Sequence, residues 1–269
     1  MQNVHMNECI FCHDQGIIKN GTTPSGEQSY HCKKCEVYFT GSTNPEYPNH
    51  SFDADTMKLC VLWYFRYPLS YRNVTEMMAF RGIVVSHQSV YRWVGKLGSE
   101  FGKKARNLHG PKRTVSWYVD ETYIKVKGNW RYLYRAVDRD GKVLDVMLSP
   151  HRSKQAAKRF FKRTLKRLGV APKRVYTDKN AAFTEPVKKV LGAKHHILHI
   201  TVTPVERSHV PIKRRYALMR GFGSFIRASK FTWNWESIYG YLGNLNASSH
   251  REREEFCLKV RWLFGLESV

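Results

Sequence analysis

The sequence predicts a mixed α/β protein that is preceded by a cysteine-containing segment and a helical region. Two C-x-x-C pairs stand near the N-terminus, helical apolar patterns follow, and runs rich in β-branched and aromatic residues begin after the basic joint at 110–113. Three strands, a helix, a strand and a helix in this order are typical of a mixed sheet with flanking helices. We therefore expect four segments, at 1–50, 51–110, 111–228 and 229–269.

The chain is strongly basic. Its 269 residues include 45 Lys and Arg against 22 Asp and Glu, which gives a formal charge of +23. An excess of this size repels itself in the folded state and is usually retained because a polyanion neutralises it. Nucleic acid is the leading partner, since each phosphate contact releases counterions and adds affinity. A solvated basic surface and a ribosome-associated protein are the alternatives.

The sequence predicts no membrane partner. No apolar run approaches the roughly 20 residues that cross a bilayer. The polar segment Met1–Glu8 lacks the apolar region of a signal peptide. We therefore expect a protein of the reducing cytosol, where cysteines are metal ligands or buried thiols more often than disulfides.

Four cysteines have the spacing of a zinc site. Cys9 and Cys12 form one C-x-x-C pair, Cys32 and Cys35 form the other, and 19 residues separate the two pairs. Zinc favours a tetrahedron of four soft or borderline ligands, which two such knuckles supply. We therefore expect one structural Zn²⁺ ion in this segment.

Short strands at 17–18 and 29–31, joined by a turn at 20–26, would complete a zinc ribbon around these cysteines. A segment so short and so poor in apolar residues needs a bound metal ion to fold. His13 and His31 adjoin the cysteines and are interpreted as their neighbours, or as alternative ligands. Cys60 and Cys257 are predicted to be buried thiols.

Residues 51 to about 107 predict helices that resemble a helix-turn-helix. Ser70 is a good N-cap for one helix, Gly82 ends it, and Ser86 caps the next. The last helix would present Gln88 and Arg92 outward and place them in the major groove of DNA. An ordinary packing unit of three helices is the alternative, because the pattern is degenerate.

The segment after residue 113 alternates between strand and helix patterns. The pattern predicts a helix at 155–168 that is apolar on one side and cationic on the other. Lys158 and Lys162 on its cationic side would hold DNA phosphates, or would form a solvated face. The other predicted elements are strands at 114–119, 132–137, 143–148 and 174–177, a turn at 138–141, a helix at 181–191, an apolar stretch at 197–202 and helices within 233–264.

Three separated acids are candidates for a metal site. Asp120 and Asp178 follow two predicted strands, and Glu206 lies farther along the chain. Carboxylates at the ends of adjacent strands lie close together, and active sites of open α/β sheets collect there. Hard oxygen ligands suit Mg²⁺ or Mn²⁺, and two such ions roughly 4 Å apart promote in-line phosphoryl transfer.

Each acid also has a structural explanation. Glu121 follows Asp120 directly, so the ligand could be either of the two, although only one should point into the site. Asp138 also ends a strand but is explained by the turn after it. Glu206 stands three residues after Thr203 with a proline at the first helical position, which is the pattern of a capping box.

Several motifs in order resemble the insertion-sequence-six family of bacterial and archaeal DDE transposases. The resemblance covers roughly residues 57–228. The motifs that carry it are DETYIKVKG at 120–128, WRYLYRAVD at 130–138, RSKQAA at 152–157, TDKN at 177–180, E-x2-H-x2-IKRR at 206–215 and GF-x-SF at 221–225. The zinc ribbon is more similar to the one that heads the insertion-sequence-one family.

This resemblance implies a ribonuclease-H-like catalytic domain in which Asp120, Asp178 and Glu206 are the catalytic acids. It implies that Lys213, with Arg214 beside it, contacts the transposon end. We expect a nucleoid-associated prokaryotic transposase, at least dimeric because two ends are paired, that cleaves transposon ends with two Mg²⁺ or Mn²⁺ ions and joins them to target DNA. A DNA-binding regulator that has lost the chemistry and a structure-selective nuclease are the alternatives.

Two features depart from the family pattern. The interval from Asp178 to Glu206 is shorter than usual, so the connection between them must be trimmed. Pro211 falls within the helix that should carry Glu206 and Lys213. Because proline removes one helical hydrogen bond, we expect the helix to kink or restart there.

Overall fold

The computed structural model describes residues 6–24, 26–41, 43, 45, 52–109, 115–197, 204–219, 221–243 and 249–266, without the side chains of 109 and 204–208. The chain divides into two compact units, Met1–Cys60 and Val61–Val269. The domain boundaries predicted after residues 50, 110 and 228 stay predictions. In the part of the chain that is described, no helix is both long and apolar enough to cross a membrane.

The first unit contains a small antiparallel sheet. Its strands are β1 (Ile17–Thr22), β2 (Gln28–Cys32) and β3 (Tyr38–Thr40), with β2 in the centre. The two predicted strands are present and longer than expected. The sequence did not predict β3, since three residues are too few to display a strand pattern. Tyr30 and Phe39 stack in its small core beside the cysteines.

Three helices follow the ribbon: α1 (Ala54–Arg66), α2 (Tyr71–Ala79) and α3 (His87–His109). The predicted caps are present, because Ser70 accepts a hydrogen bond from the Asn73 amide and Ser86 accepts one from the Ser89 amide. Gly82 lies between α2 and α3 at a φ of 74°, which a glycine adopts without strain. Helix α3 continues well beyond α2 and packs against α7, described below.

The second unit is built on a five-stranded mixed sheet. Strands β4 (Ser116–Val126), β5 (Asn129–Val137) and β6 (Val143–Ser149) form antiparallel hairpins, while β7 (Arg174–Thr177) and β8 (Lys194–Ile197) run parallel to β4. The strand order is β6-β5-β4-β7-β8. This order, with helices on the sheet, is the ribonuclease-H-like arrangement that the sequence predicts.

Helices cover the sheet. The helical elements of this unit after β6 are α4 (Lys154–Leu168), α5 (Thr184–Pro186) with a π-helical turn (Val187–Leu191), α6 (Pro204–Leu218), α7 (Phe225–Leu242) and α8 (His250–Phe264). Phe160 and Phe161 of α4 pack with Trp117 and Tyr134 of the sheet in the main core. Helix α6 contacts β4 and β5, and α7 contacts β6.

Three expectations need correction. Helix 181–191 begins only at Thr184 and ends in the π-helical turn. Cys257 is exposed on α8 and is not a buried thiol, whereas Cys60 is buried, and burial raises its pKa to about 12. Helix α6 runs from Pro204 through Pro211 to Leu218 without a restart, since the loss of one amide donor does not end the turns on either side.

Candidate active site

Asp120 lies inside a strand and does not end one. The predicted strand was too short, because β4 continues through Asp120 to Val126 and stays paired with β5 along this length. The parallel pairing with β7 nonetheless ends near the expected place, at Tyr118 and Tyr176. Asp120 and Asp178 each stand two residues beyond that pair, so the register of the sheet brings both acids to one level.

The carboxylate of Asp120 is held by two hydrogen bonds. Oδ1 accepts from the Glu121 amide at 2.8 Å, and Oδ2 lies 3.2 Å from Nε2 of His209 on α6. His209 is buried, whereas the Asp120 side chain is 21% exposed. The carboxylate is therefore fixed from the protein side and retains access to solvent.

A buried pair of charges fixes the ring of His209. Nη1 of Arg135 lies 3.3 Å from Nδ1 of His209, and Nη2 of Arg135 donates to Oε2 of Glu236 at 2.9 Å. A guanidinium only donates, so Nδ1 must accept and the ring proton stands on Nε2, directed at Asp120. Burial lowers the pKa of His209, with Asp120 opposing and Arg135 adding to that effect, which favours this neutral form.

Glu121 belongs to a second network on the opposite sheet face. Arg152, just before α4, donates from Nε to Oε1 of Glu121, and Asn180 donates to the same oxygen at 2.9 Å. Nη2 of Arg152 also lies 3.8 Å from Oδ2 of Asp178. Burial raises the pKa of Glu121 to about 7; Arg152 opposes this, and Asp120 and Asp178 add to it. Arg152 therefore connects Glu121 to Asp178.

Asp178 is the more open of the two aspartates, with its side chain 47% exposed. Its Oδ1 accepts from the Asn180 amide at 3.0 Å, and Oδ1 of Asn180 accepts in turn from the Ala182 amide. These bonds give the loop after β7 a defined shape. They leave Asp178 as the part of the site that faces solvent most fully.

The third candidate acid, Glu206, is described only in its backbone. It lies in the first turn of α6, and its side chain falls outside the described residues. His209 stands one turn later on the same helix, and its bond to Asp120 brings this part of α6 to the site. The metal role of Glu206 therefore stays a prediction.

The four cysteines meet in the first unit. The sulfur atoms of Cys9, Cys12, Cys32 and Cys35 all lie within 4.8 Å of one another. Within the described residues, this is the group of three or more ligand-type side chains close enough to share one ion. The backbone amide of Cys35 is the main cause that lowers the pKa of Cys32 to about 7. The arrangement is compatible with zinc.

The two nearby histidines lie outside this group. His13 contacts Glu8 at 3.3 Å, and His31 stacks on Tyr38 with ring centroids 4.3 Å apart. Both therefore interact with neighbours of the cysteines and not with the cysteine sulfurs.

The candidate DNA-binding residues are all exposed and are distributed over three helices. They are Gln88 and Arg92 on α3, Lys158 and Lys162 on α4, and Lys213 and Arg214 on α6. Arg163 on α4 differs from this group, since it pairs with the buried carboxylate of Asp145 at 2.7 Å. Their DNA contacts stay predictions.

Sequence reasoning missed four residues that support the acids: Arg135, Arg152, Asn180 and Glu236. One signal was present for Arg135, because a charged residue in the middle of the apolar strand Asn129–Val137 needs a buried partner. Its partner Glu236 is 101 residues away along the chain. No local spacing reveals such a pair.

Known proteins that are similar to this chain include a family of DDE domains and two bacterial transposases. Residues 114–241 match the family model of a DDE domain. Two transposases of Staphylococcus aureus are 39% identical over 142 residues: the one for insertion sequence-like element IS431mec in strain Mu50, and the one for insertion sequence element IS257 in transposon Tn4003. The match covers 53% of this chain and 62% of each relative, so the chain spans less than two thirds of these curated relatives.

Two solved structures are similar in part. The HTLV-2 integrase catalytic core in complex with magnesium has a TM-score of 0.38 and 22% identity over 52% of this chain and 94% of that one. The catalytic core of BIV integrase has a TM-score of 0.38 and 18% identity over 54% of this chain and 95% of that one. Similarity at these TM-scores carries no argument about the fold. The fold is assigned from the order of the strands in the sheet.

Proposed function

We propose that this chain, whose residues 114–241 match the family model of a DDE domain and which is similar to insertion-sequence transposases, is an insertion-sequence-six transposase that cleaves transposon ends and joins them to target DNA. The chemistry is metal-dependent phosphoryl transfer. Hydrolysis frees a 3′-hydroxyl, and that hydroxyl then attacks a phosphodiester of the target. Both steps are in-line displacements at phosphorus, so one site serves both.

One observation carries the proposal: Asp120 and Asp178 stand at the same level of adjacent parallel strands. Each lies two residues beyond the pair formed by Tyr118 and Tyr176. Asp120 is held within β4, and Asp178 follows the end of β7 directly and accepts a hydrogen bond from the Asn180 amide, so both acids are fixed as the positioning of a reacting phosphate requires.

The residues at this site suit divalent ions of the magnesium type. Asp120 and Asp178 supply hard oxygen donors that are partly exposed, and Glu206 would supply the third carboxylate from α6. When bound, Mg²⁺ or Mn²⁺ activates the attacking oxygen and stabilises the leaving one. His209 holds Asp120 from the protein side, and Arg152 stands beside Asp178 with a charge that suits a DNA phosphate.

The remaining modules would bind DNA. The zinc-bound ribbon and the α2–α3 pair recognise terminal inverted repeats, with Gln88 and Arg92 directed at base edges. Lys213 and Arg214 hold the transposon end, and Lys158, together with Lys162, holds backbone phosphates. Two ends must be joined together, so the active form is at least a dimer.

The test is a nicking assay on a duplex that carries one transposon end, with Mg²⁺ present. The Asp120→Asn variant keeps the shape of the side chain and weakens metal binding, so we expect loss of nicking with DNA binding retained. Asp140→Asn is the matched control, because Asp140 lies in the exposed turn before β6. We expect this control to nick like the wild type.

The same assay separates the alternatives. Tight binding without nicking by the wild type would identify a regulator and contradict the proposal. Cutting of branched DNA without joining, and without preference for any terminal repeat, would identify a nuclease and also contradict it.

A further inference from the structure

We propose that four side chains on the β4–β5 hairpin form a stacking surface for unpaired DNA bases on the sheet face of Glu121, which Arg152 connects to Asp178. They are Tyr123, Lys125, Trp130 and Tyr132, here called the aromatic platform. The ligand class rests on the proposed function, because that function places DNA at Asp120 and Asp178. The platform specifies the form of that DNA: a strand whose bases are unpaired and lie outside the double helix.

The platform occupies one face of the hairpin beyond Asp120. Along this part of β4, Thr122, Ile124 and Val126 are buried, whereas Tyr123 and Lys125 are exposed. The buried face is covered by the end of α6 and the segment after it, where Tyr216 accepts a hydrogen bond from the Lys125 amide at 2.8 Å. The opposite face carries the platform.

Cross-strand pairing assembles the platform. Tyr123 stands opposite Tyr132, and Lys125 stands opposite Trp130. The rings of Tyr123 and Trp130 meet edge to face with centroids 6.3 Å apart, and Nζ of Lys125 lies 4.8 Å from the Trp130 centroid. A tight turn at Lys127 and Gly128, both at positive φ, closes the hairpin and fixes this register.

Two rings of the platform, Tyr123 and Trp130, are largely exposed, whereas Tyr132 is half-buried and packs against the main core. Trp130 is 53% exposed and Tyr123 is 45% exposed, although tryptophan is usually well covered in a folded domain. A row of aromatic rings with an interleaved lysine is the chemistry that binds single-stranded nucleic acid. The rings stack on bases, and the cation meets the backbone.

The platform lies on the sheet face of Glu121, opposite the face of Asp120, and its link to the proposed site is Arg152, which binds Glu121 and lies 3.8 Å from Asp178. Side chains on one face of a strand repeat every second residue, so Tyr123 follows Glu121 along the same face at about 7 Å. A DNA strand that contacts Arg152, the partner of Glu121, would therefore reach Tyr123 after about two nucleotides at 3.4 Å each.

The geometry favours unpaired bases over a closed duplex. A stacking ring must reach the face of a base, and in a duplex the neighbouring base pairs cover those faces. Bases that are splayed out near the cleaved phosphate expose their faces. A duplex end held at Asp120 would therefore gain affinity from the platform only when it is locally open.

The test compares two probes with the full chain carrying Asp120→Asn, which prevents cleavage. One probe is a short duplex that ends in a few unpaired thymines, and the other is the same duplex fully paired. We expect the open probe to bind about tenfold more tightly, in line with base–aromatic stacking energies. Trp130→Leu should remove this preference and leave the affinity for the paired probe unchanged.

Trp262→Leu is the matched control, since Trp262 is 67% exposed on α8 and should leave the preference intact. A 2-aminopurine placed among the unpaired bases gives a second readout. Its fluorescence should be quenched by the protein with Trp130 and recover in the Leu variant.

Three results would contradict the proposed role of the platform. They are equal affinity for both probes, a preference for the open probe that survives Trp130→Leu, and a Trp130→Leu variant that changes only in self-association. These results are independent of the nicking assay. A wild type that fails to nick but keeps the Trp130-dependent preference would overturn the proposed function and leave the platform standing.

Discussion

At the scale of single residues, the orientation of Asp120 depends on a chain of buried hydrogen bonds. Glu236 binds Arg135, Arg135 reaches Nδ1 of His209, and Nε2 of His209 reaches Asp120. Hydrogen bonds of this type hold a ligating carboxylate in one rotamer before the metal arrives. We therefore propose His209 as a positioning residue, because it contacts Asp120 and not the reacting atoms.

We expect His209→Ala to lower both Mn²⁺ affinity and strand cleavage by about 10- to 100-fold, because Asp120 loses its donor. His209→Gln should recover much of the loss, since an amide donates to Asp120 and accepts from Arg135. The measurements are Mn²⁺ binding followed by electron paramagnetic resonance and nicking as a function of metal concentration.

The control for this series is His250→Ala, which removes an imidazole that is 86% exposed on α8. It should change neither quantity. If His209→Ala bound Mn²⁺ as tightly as the wild type, the positioning role would be wrong.

The sequence predicts three acids, whose metal role stays a prediction, but it did not predict the residues that hold Asp120 and Asp178. Asp120 and Asp178 could be predicted because each follows a strand-like run. Glu121 remained ambiguous from the sequence, and its separate role became clear only from its bonds to Arg152 and Asn180. Such bonds join residues that are far apart in the chain, and only the folded sheet brings them together.

At the scale of helices and strands, the contact between α3 and α7 depends on a glycine. A Cβ added at Gly102 would lie 2.6 Å from Oδ1 and 3.1 Å from Cα of Asn234, which is buried on α7. We expect Gly102→Ala to lower the free energy of unfolding by about 1–3 kcal/mol, as overpacking does. Urea denaturation of the full chain measures the change.

Gly95 on the same helix is the matched control. A Cβ there would meet no atom within 4 Å. Gly95→Ala should stabilise the protein by about 0.5–1 kcal/mol, because alanine loses less backbone entropy in a helix. Equal effects of the two substitutions would contradict the packing described for α3 and α7.

The ribbon should depend on its metal. Cys32→Ser or a strong chelator should release one zinc ion per chain and unfold β1–β3, since so small a core does not fold unaided. Metal analysis and limited proteolysis of the full chain measure both effects. Cys257→Ser, at an exposed position on α8, should change neither. A ribbon that stays protected without zinc would contradict the role of the four cysteines.

Elements with strong periodicity were predictable, and short or unusually long ones were not. The apolar face of α4 and the caps Ser70 and Ser86 appear where the sequence predicts them. Strand β4 was underestimated because only one side of its second half is buried, so the apolar run ends at Val119 while the pairing continues.

At the scale of the whole molecule, the fold follows from the order of its elements. Three strands, a helix, a strand and a helix predicted the mixed sheet, and the strand order β6-β5-β4-β7-β8 confirms it. The order of the elements along the chain did not predict the long-range hydrogen bonds within the second unit. Arg215 of α6, for example, donates to the carbonyl of Leu69, 146 residues away.

The basic charge is likewise a property of the whole chain. The exposed cations at the candidate DNA-binding positions lie on α3, α4 and α6, and the proposed aromatic platform adds Lys125 on β4. A charge of +23 fits the proposed binding of a DNA end and a DNA target, because each phosphate contact releases counterions.

The central claim is that Asp120, Asp178 and Glu206 bind divalent ions together. A crystal of the full chain soaked in Mn²⁺ tests it most directly, through the anomalous signal of the metal. We expect Mn²⁺ in contact with carboxylate oxygens of both Asp120 and Asp178, with Glu206 completing the site. Manganese absent from these carboxylates, or the three side chains pointing to different surfaces in the soaked crystal, would contradict the claim.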